Sequence, residues 1–105
     1  MELEYGIKMT WHQFCEWERW DEFPERQNNP PYTVEPAFRY KDRCYFIDHY
    51  TLDKEAGIED FVLVDTTDDG YVEIAHFDNF LKVVAYPYFD GKSFMARIEE
   101  FEFAY

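Results

Sequence analysis

The sequence predicts an α+β domain, an antiparallel sheet of four to five strands with an N-terminal helix and short C-terminal helices packed on it. Three observations lead there. A segment of helical period near the N-terminus carries its own start and stop signals. Four short runs of strand-forming residues between positions 37 and 77 are separated by turn residues. After Phe77 the period changes, and two helix-capping positions precede an alternating tail. At 105 residues the chain, 1–105, is expected to be a single domain with no room for a second core.

The helix is predicted over Met9–Phe23. Thr10 and Gln13 have the spacing of a capping box, Glu16 and Glu18 follow in the early turns, and Pro24 ends the segment. Trp11, Phe14 and Cys15 share one face, Trp17 lies at its edge, and Trp20 falls on the far side. Gln27-Asn28-Asn29-Pro30-Pro31 reads as a loop. Ala37–Tyr40 and Arg43–Tyr50 read as strands around Lys41-Asp42, with Phe38 and Tyr40 alternating with Arg39. Asp53–Asp60 is a polar connection through Gly57. Phe61–Thr66 and Tyr71–Phe77 are two further strands joined at Asp68-Asp69-Gly70, where the glycine is expected to take the positive φ. Asp78 is expected to cap a helix over Asn79–Tyr86 that Pro87 terminates, and Ser93 a second one after the Asp90-Gly91-Lys92 turn. Phe94, Ile98 and Phe101 stand at core spacing, and the tail from Glu100 alternates like a strand.

Apolar residues at 47% and aromatics at 22% suffice for a packed core and argue against disorder. Ten Lys and Arg face 23 Asp and Glu, a formal net charge of −13. Such a surplus repels nucleic acids and anionic membranes and attracts cations and basic proteins. No apolar run approaches a membrane span, and the chain opens Met-Glu-Leu-Glu without a basic-then-apolar leader, so a cytoplasmic protein is expected. Cys15 and Cys44 have no paired-ligand spacing and are expected to remain thiols.

Phe77-Asp78-Asn79-Phe80-Leu81 followed by Phe89-Asp90-Gly91-Lys92-Ser93-Phe94 resembles small acidic proteins of phages and mobile elements of Firmicutes and related bacteria. Thr10-Trp11-His12-Gln13-Phe14 is similar to their opening helix, and Tyr40-Lys41-Asp42-Arg43-Cys44-Tyr45-Phe46 to their strand pair. The likeness covers most of the chain, and Asp90-Gly91-Lys92-Ser93, a turn plus a helix cap, is its sharpest part. The chain departs from the pattern in its Pro/Asn loop and in Ala96-Arg97-Ile98, where a tryptophan often follows the isoleucine. The resemblance implies a phage or mobile-element setting, in which small acidic proteins often disable host nucleases, CRISPR effectors among them. It assigns no functional residues.

The candidate binding surface is acidic. Glu55, Glu59, Asp60, Asp65, Asp68, Asp69, Glu73 and Asp78 run from residue 55 to 78 with no Lys or Arg between them. On a hairpin, Asp65, Asp69 and Glu73 are expected to be exposed and within reach of one another, where they could occupy a Lys/Arg row that otherwise holds phosphates. The competing reading is a solvated face kept for solubility. A second acidic group, Glu16, Glu18, Asp21, Glu22 and Glu25, surrounds Trp17 and Trp20. Trp17 is expected to pack inward, and Trp20 is the surface candidate, with Asp21 and Glu22 at its rim.

Catalysis and metal binding have little support. Cys44 with His49 or His76 lacks an oxyanion device, and Asp48 and His49 face opposite sides of a strand. Gly91-Lys92-Ser93 lacks the earlier glycine of a phosphate loop. His12 and Cys15 form one close pair, short of a zinc site, and Asp65–Gly70 lacks the spacing of a calcium loop.

The sequence therefore leads to a protein that is not an enzyme, holds no cofactor or metal, and binds no nucleic acid itself. The expected partner is a basic protein, a nucleic-acid-binding nuclease of the host, blocked by a DNA mimic of the anti-CRISPR kind. The alternatives are an immunity or antitoxin protein neutralising a basic toxin, and an acidic structural domain without an electrostatic target.

Overall fold

A computed structural model describes residues 4–17 and 35–104. Among the described residues the strands and α-helices follow in the order β1 (Tyr5–Ile7), α1 (Trp11–Trp17), β2 (Ala37–Tyr40), β3 (Arg43–Asp53), β4 (Ile58–Asp65), β5 (Val72–Phe77), α2 (Phe80–Ala85), α3 (Phe94–Arg97) and β6 (Glu102–Ala104). The strands form one antiparallel sheet of six, in the order β1-β6-β2-β3-β4-β5. The α+β architecture agrees with the sequence reading, with one strand more. That strand is β1, three residues around Gly6 that pair with β6.

Strand alternation divides the sheet into two faces. Phe38, Tyr40, Tyr45, Ile47, Phe61, Leu63 and Phe103 turn to the helices, where Met9, Phe14, Phe80, Val83, Val84, Phe94 and Ile98 meet them in a single core. Phe38 is its hub, with ring centroids 4.7 Å from Phe101, 5.1 Å from Phe94 and 5.7 Å from Tyr45. Phe14 brings α1 onto this layer, 5.3 Å from Phe94 and 5.9 Å from Phe103. Val62 and Val64 belong to the opposite face. They lie between cross-strand neighbours Asp48 and His76, and Phe46 and Glu73, and are also fully buried.

The local signals behave as their chemistry requires. Thr10 N–H donates to Gln13 Oε1 at 2.8 Å and Gln13 N–H to Thr10 Oγ1 at 3.1 Å, a reciprocal capping box. Ser93 Oγ accepts from Ala96 N–H at the start of α3. The cap of α2 is one residue later than the sequence suggests. Asn79, not Asp78, accepts from Lys82 N–H, while Asp78 pairs with the Lys82 ammonium at 2.8 Å. Asparagine caps as well as aspartate, and the shift frees Asp78 to meet a cation one turn on.

The β4–β5 turn is also displaced by one residue. Gly70 sits at φ −80, and the left-handed positions are Asp68 (φ 58) and Asp69 (φ 60), closed by Gly70 N–H to Thr67 O at 3.1 Å. Space at Gly70 is tight, since a Cβ there would lie 3.1 Å from the Thr67 carbonyl oxygen. The Asp90-Gly91 turn, by contrast, places its glycine at φ 82, as such turns prefer. Two successive L-residues in the left-handed region carry strain that Asn-Gly would reduce. The variant Asp68→Asn/Asp69→Gly is therefore expected to gain ~0.5 kcal/mol, seen as a melting temperature higher by about 2–4 °C. An unchanged or lower melting temperature would show that the aspartates fit this turn without cost.

Candidate partner-binding surface

The eight carboxylates of the sequence pattern do not converge. Strands β3 and β4 place Glu55, Glu59 and Asp60 at one end of the sheet and Asp65, Asp68 and Asp69 at the other. The strand β4 is about 25 Å long, and about 17 Å of it separates Asp60 from Asp65. Glu73 stands between them on the edge strand β5, opposite Val64. Asp65 cannot join Glu73, because it pairs with Tyr45 on the helix side of the sheet whereas Glu73 shares the other face with Val64.

Asp65 is also not exposed, as the sequence reading expected, but 8% accessible. Arg43 Nε donates to its Oδ2 at 2.8 Å and Thr67 N–H to its Oδ1 at 2.9 Å. Burial pushes the Asp65 carboxyl up, and the bonds from Arg43 and Thr67 outweigh burial and hold it below the usual carboxylate range. Asp65 is thus a structural carboxylate that ties the start of β3 to the end of β4. Asp78 is matched by Lys82. Glu59 bonds His49, whose ring stacks on Phe61 at 4.3 Å. Glu55, Asp68 and Asp69 are exposed and form no ion pair with a described residue.

His76 is held between two carboxylates, with Nδ1 3.0 Å from Asp60 and Nε2 2.9 Å from Glu73. Both contacts favour the imidazolium, which donates from both nitrogens, and Asp60 first and Glu73 second raise its pKa. A raised folded-state pKa gives stability that is complete below the ordinary value of ~6.5 and lost as pH rises through the higher one. His76→Gln should accordingly lower the melting temperature more near pH ~5.5 than near pH ~9. An equal loss at both would show that the imidazole is not bound as a cation.

The sequence reading missed a second constellation on the same face. Asp48 Oδ2 accepts from Tyr71 Oη at 2.6 Å and Tyr50 Oη at 2.7 Å, and the two hydroxyls are 3.0 Å apart. Burial raises the Asp48 carboxyl, and the donors Tyr71, Tyr50 and His49 N–H together bring it below the usual range. The bond to Asp48, then that to Tyr50, drives the Tyr71 phenol far up. Alternation places Asp48 and Tyr50 on one face of β3. The reach of Tyr71 across β4 depends on hairpin register and has no local signature.

Trp17 is 53% exposed, not packed inward, although its ring edge meets Phe14 at 6.4 Å and Phe103 at 6.3 Å. Its position at the margin of the apolar helical face leaves one side of the indole uncovered. Glu16 pairs with His12 at 2.7 Å. Trp20, Asp21 and Glu22, with Glu18 and Glu25, lie outside the described residues.

An open cleft of about 680 Å³ is lined by Tyr5, Arg39, Cys44, Phe46, Asp68 and Asp69, among others. Arg39, its cation among the described residues, is committed to Glu102 at 2.9 Å and lies over the Tyr5 ring. The cleft therefore offers little to an anionic ligand. Both cysteines carry thiols rather than a disulfide. Among the described residues no group of three or more His, Cys, Asp or Glu could hold a metal, and no helix is long and apolar enough to cross a membrane. No family model, curated protein or solved structure matches the chain.

Proposed function

We propose that the protein is an inhibitor of the anti-CRISPR kind, carried by a phage or mobile element, that occupies the basic nucleic-acid-binding surface of a host defence nuclease. The observation that carries this reading is the set Glu55, Asp60, Glu73, Asp68 and Asp69, which follows the β4–β5 side of the sheet with no Lys or Arg partner among the described residues, while Glu59 lies on the helix-side face with His49. Over the ~25 Å of β4, one DNA strand presents roughly seven phosphates. Five carboxylates over that length, two of them sharing the His76 imidazolium, stay below the charge of one strand and fall far short of a duplex. The mimicry is therefore of a single strand's backbone, held on a rigid sheet whose ordering cost was met in folding.

The test is capture of the partner from host lysate, elution in salt steps, and a competition assay with the identified protein. The protein should prevent nucleic acid from loading, and its affinity should fall steeply as the Debye length shrinks from ~10 Å at 0.1 M salt to ~3 Å at 1 M. A dissociation constant that stays flat across that range would end the electrostatic reading. Capture of a toxin encoded beside this gene, with no effect on nucleic-acid loading, would replace the nuclease by a basic toxin.

A further inference from the structure

The β3–β4 hairpin outruns the sheet. Strand β2 pairs only with Arg43–Phe46 of β3, and β5 pairs with β4 no further than Phe61. Beyond those points Tyr50–Glu59 continues as a two-stranded ribbon, with no strand of the described residues on either side. Such ribbons are marginal alone and usually polar at the tip. This one leaves Leu52 65%, Ile58 48% and Tyr50 45% exposed, with Tyr71, 50% exposed, bonded to Tyr50 through its hydroxyl. Two aliphatic and two aromatic side chains are thus held at the surface by strand pairing and by Asp48.

We propose that this ribbon and Tyr71 form the docking patch for an arginine-bearing apolar segment of the partner protein. The patch rests on the inhibitor reading above and names where that contact is made. Charge selects the occupant. Asp48 and Asp60 share the face of Tyr50 and Ile58, Asp53 and Glu55 stand at the ribbon tip, and Lys54 is the single Lys or Arg between Tyr45 and Leu81. A second copy of the chain would bring the same charge to the same face, at −13 per protomer, and is disfavoured. A guanidinium fits better than an ammonium. Asp48 is an oriented carboxylate beside two tyrosine rings, and a planar cation can stack on a ring while donating to the carboxylate. The apolar centre then excludes water from these pairs.

The experiment is an NMR titration of the whole protein with the peptide acetyl-Arg-Leu-Arg-Leu-Arg-amide, and with a version in which serine replaces both leucines. The expected result is amide shifts concentrated at residues 50–59 and 71, and affinity weaker by about tenfold or more for the serine peptide. Leu52→Ser/Ile58→Ser should weaken the leucine peptide by roughly 10- to 100-fold with the melting temperature unchanged, because both side chains are exposed. Shifts confined to the Asp68–Asp69 turn, or equal affinity for the double variant and the parent, would overturn the patch. So would a concentration-dependent dimer in sedimentation that the double variant abolishes. If the double variant binds peptide weakly but still blocks nucleic-acid loading at full strength, the patch fails as the inhibitory contact while the inhibitor reading stands. If peptide binding behaves as expected and loading is never blocked, the patch stands and the inhibitor reading fails.

Discussion

Phe38→Ala is expected to cost ~3–5 kcal/mol, the range for deleting a fully buried aromatic side chain. Phe38 is 0% exposed and meets five rings within 6 Å: Phe101, Phe94, Tyr45, Phe89 and Phe103. Those rings come from the neighbouring strands and from the chain that carries α3 and leads into β6. The cavity therefore opens where the C-terminal segment joins the sheet, among rigid rings that cannot collapse to fill it. A domain of this size is stable by ~5–15 kcal/mol, so one substitution would remove about a fifth of the total or more. The melting temperature should fall by roughly 15 °C or more, whereas Phe38→Leu, which keeps most of the volume, should lose much less. Phe77→Ala is the control, since Phe77 is only partly buried and its ring contact is with Tyr86 at 5.2 Å. A Phe38→Ala variant that melts no lower than the Phe77 one would show that this ring cluster does not bind the helices to the sheet.

What the sequence made legible was local chemistry. The Thr10–Gln13 box, the Ser93 cap and the alternation of Phe38 and Tyr40 depend on residues within four positions of one another, and each stands where those signals put it. Apart from the α2 cap, where adjacent Asp78 and Asn79 competed, the errors lie where a distant residue decides. Strand β1 exists because β6, about a hundred residues later, offers it an edge, and a three-residue run around a glycine carries no period of its own. The β4–β5 turn shifted because register is set by the pairing of whole strands, which left two aspartates where a glycine was expected.

The acidic pattern shows the same division more sharply. In the sequence, residues 55 to 78 have no Lys or Arg, and their charge looks uncompensated. In the fold Arg43 reaches Asp65 from 22 positions upstream, Lys82 reaches Asp78 from just beyond the stretch, and His76 bridges Asp60 and Glu73 across the β4–β5 pair. Linear charge counting cannot separate carboxylates that hold the sheet from those left to a partner. Exposure and partner geometry can, and they also separate the outcomes of mutation.

Removing a charge should therefore have opposite effects at neighbouring positions. Asp65→Asn is expected to cost ~1–3 kcal/mol, because the Arg43 guanidinium and Thr67 N–H lose a charged acceptor at a nearly buried site. That figure sits below the range for a fully buried pair, since Arg43 remains half exposed and water screens it. Its folded-state pKa is depressed, so the penalty is full above the ordinary carboxylate value of ~3.9 and shrinks as pH falls through the lower one. The quadruple variant Glu55→Gln, Asp68→Asn, Asp69→Asn, Glu73→Gln should leave the fold intact, because three of these carboxylates form no ion pair with a described residue and Glu73 gives up one exposed contact with His76. Relief of repulsion in a chain of −13 offsets that contact. The same variant should lose most of its binding, at ~2–5 kcal/mol for each pair that had been buried against the partner's cations. Melting curves and the loading competition, measured side by side, decide the matter. If Asp65→Asn is neutral for stability, the Arg43 pair does not hold the strand ends together. If the quadruple variant melts normally and inhibits fully, the carboxylate row is a solvated face, and the apolar ribbon at Leu52 and Ile58 must carry recognition without it.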